Sequence, residues 1–156
     1  EKALYCHNKN IDFYCTTETP NSPYGPNDPN LIKVDGKQAN IGTSSIYPFN
    51  NHWKRIHCSS KTTVPAITLD SFIETIDQET GKYVLCMDLQ GGEFYALKGA
   101  EKHLQNCQLI IAEASAAQYI SPGDVGPNMI ALLKKYKFIH MNKGQRGDKV
   151  FARQLD

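Results

Sequence analysis

Two unbroken apolar runs stand out from an otherwise mixed chain. Tyr83-Val84-Leu85-Cys86-Met87 ends on Asp88, and Leu109-Ile110-Ile111-Ala112 ends on Glu113. Neither run alternates with polar residues. Such a run suits a strand buried on both faces, as in a parallel sheet covered by helices. Between them a Gly91-Gly92 turn precedes apolar residues at Phe94, Leu97 and Leu104, a spacing that predicts a helix over 93–104. The lengths suit a crossover. A strand of about six residues spans roughly 20 Å, and the helix spans roughly 18 Å. The chain therefore returns to its starting edge, and the second run lies parallel to the first through a right-handed connection. Asp88 and Glu113 are then expected at one edge of the sheet, on strands about 4.8 Å apart. Open α/β sheets bind ligands at the carboxyl ends of their strands.

The flanking pattern is less regular. Lys2 to Cys6 and Ile11 to Cys15 are short apolar and aromatic runs separated by His7-Asn8-Lys9-Asn10, which reads as a hairpin. Pro20, Pro23, Pro26 and Pro29 forbid helix and interrupt ladders, so Thr16 to Asn30 reads as a surface loop. Asp35-Gly36 signals a turn, and Gly42-Thr43-Ser44-Ser45 is a small polar loop. Trp53 to Cys58 is ambiguous. Lys61 to Ile67 reads as an edge strand, with Pro65 limiting its pairing. Thr68 suits a helix N-cap, with Leu69, Phe72, Ile73 and Ile76 on one face and Thr80-Gly81 ending the helix. Downstream, Pro127 opens a helix whose stripe is Met129, Leu132, Leu133 and Tyr136. Phe138 to Met141 and Val150 to Ala152 form a terminal β-hairpin around a Gly144- and Gly147-containing loop.

Composition narrows the function classes. A chain of 156 residues fits a single domain, 1–156. Lys and Arg total 17 against 16 Asp and Glu, so no global charge draws it to nucleic acid or to a membrane surface. No apolar run approaches the roughly 20 residues of a membrane span. Cys6, Cys15, Cys58, Cys86 and Cys107 are odd in number and lack metal-ligand spacing, which favours free thiols and a cytoplasmic, reducing location. His52, His57 and Cys58 fit no common zinc pattern, and no metal is expected. The chain starts at Glu1 rather than Met, as a processed product or a piece of something longer does.

Several separated blocks resemble the FkbM family of methyltransferases. They are Thr68-Leu69-Asp70, Asp88-Leu89-Gln90-Gly91-Gly92-Glu93, Leu97-Lys98-Gly99-Ala100 and Ile111-Ala112-Glu113, in the family's order. Gly42-Thr43-Ser44-Ser45-Ile46 is similar to a small-residue loop upstream in that family. The resemblance is specific over about fifty residues and looser over most of the chain. Two features depart from it. Cys86 stands where the family has Lys, and the family's Asp-x-Gly-x-x-x-Gly turn with its first two strands is not found in this chain. The resemblance implies a partial α/β, Rossmann-like class I methyltransferase fold: a mixed sheet with parallel central strands and a C-terminal β-hairpin. It makes this chain the C-terminal part of such a domain, with Lys2 to Cys6 as the third strand of seven. It also implies S-adenosyl-L-methionine (SAM) as cofactor and a sugar or glycan hydroxyl as methyl acceptor. The apolar edge left beside Tyr83 to Met87 is expected to be covered by a homo-oligomer partner or another chain.

Methyl transfer from SAM needs an aligned acceptor oxygen and a group to take its proton. By resemblance, Asp88, Glu93 and Glu113 are the catalytic candidates, Asp88 also lies against the cofactor, and Ser44 and Ser45 contact the acceptor. Each has a plainer alternative. Asp88 would cap the following helix, Glu93 would answer the helix dipole, and Glu113 would sit in an ion pair. His7, His52, His57, His103 and His140 lack a recognisable site motif, and His103 reads as solvated. Lys143, Arg146, Lys149 and Arg153 read as a solvated basic face, or less simply as a site for a phosphorylated acceptor. Two readings compete with the enzyme: a non-catalytic α/β binding domain without the cofactor half, and a different α/β enzyme sharing only strand-end acids.

Overall fold

The computed structural model describes residues 2–18, 31–34, 37–40, 44–48, 56–76, 81–113, 125–141 and 148–154. These residues form a mixed α/β structure with two mixed sheets and a separate two-stranded ladder. The first sheet contains β1 (Ala3–Leu4), β2 (Asn10–Glu18) and a twelve-residue strand that follows a small ladder of β3 (Leu31–Val34) and β4 (Lys37–Asn40). That long strand, β5 (Ile56–Ile67), is central, in the order β1-β5-β2. It runs parallel to β1 and antiparallel to β2.

Two expectations change here. Lys2 to Cys6 and Ile11 to Cys15 do not form a hairpin, because β5 lies between them and takes both ladders. Lys61 to Ile67 is accordingly not an edge. Pro65 is tolerated at that centre because it faces Asn10, where the β2 ladder begins, and the β1 ladder starts only at Ala66. A missing N–H costs least where two ladders end. Thr16 to Glu18, expected in the proline-rich loop, instead extend β2 along β5, while the four prolines and the Asp35-Gly36 signal fall outside the described residues.

Helix α1 (Leu69–Ile76) starts as its sequence predicts, with the Thr68 Oγ1 accepting the Ser71 N–H at 3.1 Å. Its stripe is only half used. Leu69 is buried and Ile73 packs on the core, whereas Phe72 and Ile76 are exposed. The second sheet follows as β6 (Tyr83–Met87), α2 (Glu93–Lys98), β7 (Cys107–Ala112), α3 (Val125–Lys135), β8 (Phe138–His140) and β9 (Lys149–Arg153). Its strand order is β6-β7-β9-β8, with β6 and β7 parallel and the other pairs antiparallel. The parallel crossover and the terminal hairpin therefore stand where the pattern placed them.

The details of the crossover differ from expectation. Only one parallel pair forms in this sheet, and β6 is its edge among the described strands. Val84 and Cys86 are exposed, so the first run is covered on one face rather than two. Lys2 to Cys6 contributes its strand to the other sheet. Helix α2 ends at Lys98 rather than Leu104, and a short 3-10 turn at Leu104–Asn106 completes the return. The reason is at Gly99. A Cβ there would stand 2.4 Å from the Tyr5 carbonyl oxygen, so the chain turns away under the first sheet at a residue without one.

The core sits on the second sheet. Leu97, Leu104, Cys107, Ile110, Met129, Leu133 and Phe151 are fully buried, and Leu69, Met87 and Phe138 complete the cluster. Full burial of one such aliphatic or aromatic side chain is worth about 1.5–3 kcal/mol. This packing holds β6 and β7 in register, with Met87 opposite Ala112, and so brings their ends to one rim.

Candidate functional site

The rim is built by a turn that few residues can make. Gly92 N–H bonds the Leu89 carbonyl at 3.1 Å, closing a turn whose central residues, Gln90 and Gly91, have φ of 51° and 94°. Glycine adopts that left-handed region freely, and Gln90 adopts it at a cost. Three contacts hold the turn. The Ser45 hydroxyl, 1% exposed, donates to the Gln90 carbonyl at 2.7 Å. Gln90 Nε2 donates to Asp88 Oδ1 at 2.5 Å. Glu93 Oε1 accepts the Leu89 N–H at 2.6 Å.

Three carboxylates converge beyond the strand ends. One oxygen from each of Asp88, Glu93 and Glu113 lies within 4.8 Å of the others. The Glu113 N–H reaches the Met87 carbonyl at 3.4 Å, which continues the β6–β7 ladder and sets Glu113 beside Asp88. Asp88 is exposed and does not cap α2, whose N-cap is Gly92 with no side-chain cap bond. Glu93 occupies the first helical turn, where the dipole favours an acid, yet it is 1% exposed. Its Oε2 is buried without a hydrogen-bond partner among the described residues. Burial raises the Glu93 pKa above the ordinary carboxylate value, and Asp88 adds to this against the backbone N–H groups that lower it. Glu113 is raised by burial, then by the charges of Asp88, Glu93 and Asp148. None of the three acids forms an ion pair with a Lys, Arg or His among the described residues.

A cavity of about 490 Å³ opens on the first-sheet side of α2. Tyr5, Tyr14, Tyr47 and Tyr95 line it, with His7 and Asp12 among the polar groups. Tyr5 and Tyr95 stack with ring centroids 4.8 Å apart. Burial first, then a hydrogen bond to Tyr95, raises the Tyr47 pKa, and Tyr95 lines the cavity from the same helix that carries Glu93. Ser45 stands behind this wall, its backbone paired with Tyr14 and its hydroxyl turned to Gln90. Ser44 is half-buried beside it. The sequence pattern passed over the tyrosines. Tyr5 follows β1, Tyr14 is in β2, Tyr47 is in a loop and Tyr95 is in α2, so no single local pattern joins them.

Other side chains read as functional candidates are structural. His103 is buried rather than solvated: its Nδ1 lies 2.9 Å from Asp70 Oδ1, and Asp70 also accepts the N–H groups of Lys102 and His103. The chain after α2 folds under α1, which brings the imidazole inward. Arg153 does not lie on a solvated face either. It donates to the carbonyls of Cys107 and Leu104, and its guanidinium lies over the Phe138 ring at 4.8 Å. Lys143, Arg146 and His52 fall outside the described residues, as do the side chains of His57 and Cys58. Cys6, Cys86 and Cys107 are free thiols. No described helix is long and apolar enough to cross a membrane.

Comparison with known proteins agrees with the motif blocks. The family model described as the methyltransferase FkbM domain matches residues 26–139, a span that holds the turn and all three acids. No curated protein and no solved structure is matched.

Proposed function

This chain belongs to the FkbM methyltransferase family, and on that premise we propose that it serves SAM-dependent O-methylation of a sugar or glycan hydroxyl within a class I methyltransferase fold. The observation that carries the reading is the meeting of Asp88, Glu93 and Glu113 at the rim of β6 and β7, against a tyrosine-walled cavity. The cavity volume falls within the roughly 300–1,000 Å³ of small-ligand sites, and an aromatic lining with few polar groups suits a sugar ring.

The residues fit the cofactor in charge. SAM is cationic at its sulfonium and ammonium groups, and this rim presents carboxylates with no basic partner among the described residues. Asp88, exposed at the rim, is the group to lie against it. Bound there, SAM supplies an already activated methyl group. The chain's own residues then orient the acceptor and remove its proton. Glu113 and Glu93 suit the second task, because a carboxylate with a raised pKa holds a proton better near neutral pH. Asp88 orients the hydroxyl by accepting its hydrogen bond, with its own geometry set by Gln90. Ser45 is a positioning residue that acts through the Gln90 carbonyl.

The test is release of S-adenosylhomocysteine from SAM in the presence of a panel of sugar acceptors. Asp88→Ala is expected to abolish transfer while leaving the circular dichroism spectrum unchanged. Undiminished turnover in that variant would remove Asp88 from the mechanism. Absence of both SAM binding by calorimetry and transfer to any acceptor would remove the reading itself.

A further inference from the structure

We propose that Asp88, Glu93 and Glu113 form a binding site for one divalent cation of the hard, oxygen-seeking class. Spacing alone offers no reason to expect a metal here, because the three acids are separated in the chain and match no ligand pattern. The fold supplies two independent observations. The first is the convergence itself, with one oxygen from each acid inside 4.8 Å. The second is Glu93, a side chain 1% exposed whose Oε2 has no hydrogen-bond partner among the described residues. A buried carboxylate oxygen left without a partner is costly, and a bound ion is one of the few things that accounts for it.

Donor chemistry selects the class of ion. The set contains carboxylate oxygens only, with no thiolate or imidazole, so soft metals have no advantage. Two oxygens on opposite sides of Ca²⁺ stand about 4.6–5.2 Å apart, and across Mg²⁺ about 4.0–4.2 Å. The observed spread accommodates the larger ion as it stands and the smaller after a slight contraction. Asp148 adds a fourth negative charge acting on Glu113. The rigid members are well supported, since Glu93 is anchored through Oε1 to Leu89 N–H and Glu113 continues a ladder. Three protein ligands leave coordination positions open on the exposed, Asp88 side. Resting on the methyl-transfer reading, those positions would take the acceptor hydroxyl, which a cation both orients and acidifies.

The competing account is a proton on Glu93 in place of an ion, and the experiment separates them. The purified protein is titrated with MgCl₂, MnCl₂ and CaCl₂ by calorimetry, and free Mn²⁺ is followed by electron paramagnetic resonance. One ion per chain is expected, with a dissociation constant between about 10⁻⁵ and 10⁻³ M. Glu113→Gln and Asp88→Asn should each weaken binding at least tenfold while retaining the native circular dichroism spectrum. Asp88 is exposed, so its variant stays informative if Glu113→Gln folds poorly. A lack of saturable binding for all three ions overturns the proposal, as does binding that both variants leave unchanged. The two readings fail separately. Methyl transfer by a protein that binds no cation refutes the metal site alone. Saturable cation binding by a protein that transfers no methyl group supports the site and refutes the enzyme reading.

Discussion

The two mixed sheets of this protein are stabilised differently. The β6-β7-β9-β8 sheet owns the core: nearly every fully buried apolar side chain lies on it or on the helices packed against it. Among the described residues the β1-β5-β2 sheet adds only Ala66 to the buried apolar set, while β2 is matched to β5 from Asn10 to Glu18 around one bulge at Cys15 and Thr16. Lys61, Thr62, Thr63 and Pro65 of β5 are exposed, and the Asp12–Lys61 ion pair lies in solvent, where such pairs contribute little. The difference bears on function. The well-packed sheet carries the three carboxylates, whose mutual geometry must be maintained, and the lightly packed sheet contributes Tyr5 and Tyr14 to the cavity wall.

The strongest way to break this contrast is to cut into each sheet and compare. Phe151→Ala, at 1% exposure in the second sheet, is expected to cost about 3–5 kcal/mol in urea unfolding. Thr63→Ala, exposed in the first, should stay within about 0.5 kcal/mol. Comparable losses would show that the first sheet has a core of its own. The joint between the sheets comes next. Gly99→Ala places a methyl against the Tyr5 carbonyl and should cost about 1–3 kcal/mol. It should also disturb the Tyr5–Tyr95 stack, visible in near-ultraviolet circular dichroism. A silent substitution would mean that the two sheets slide freely there.

A smaller effect of opposite sign belongs to the acid cluster. The fold raises the Glu93 pKa, so it favours the protonated carboxyl. That contribution is complete below the unfolded value near 4.5 and is lost as pH rises through the folded value. Once pH has passed the folded value the ionised Glu93 strains the native state, and there Glu93→Gln should raise the melting temperature. The gain should vanish toward pH 4, and a pH-independent gain would contradict the assigned cause. The smallest effect concerns thiols. Burial first, against backbone hydrogen bonds, pushes Cys107 up to about 11 from 9.0. The stability this carries is whole below pH 9 and is lost as pH approaches 11. At pH 8, Cys86, exposed on β6, should react with a thiol reagent much faster than Cys107.

Much of the second sheet was legible because its signals are local. An apolar run, a Gly-Gly turn, an N-capping Thr68 and a stripe from Met129 to Tyr136 each depend on neighbours within a few residues, and the elements follow in the expected order, although α3 starts at Val125 and ends at Lys135, one residue short of Tyr136. The first sheet was not legible. That β5 rather than β1 pairs with β2 depends on partners some fifty residues away, which no short-range periodicity encodes. Helix length failed for the same reason, since the residue that stops α2 answers to the Tyr5 carbonyl of another sheet.

The amino-acid order alone determined that two strands run in parallel and each ends on an acid, because apolar runs of that length have few other ways to be buried. Only the tertiary structure decided that Glu93 turns inward to join those acids, that Ser45 braces their turn, that His103 is buried on Asp70, and that four tyrosines from distant segments wall one cavity. Those arrangements follow from close packing between segments remote in the chain, which sets side-chain direction and exposure after the local elements have formed.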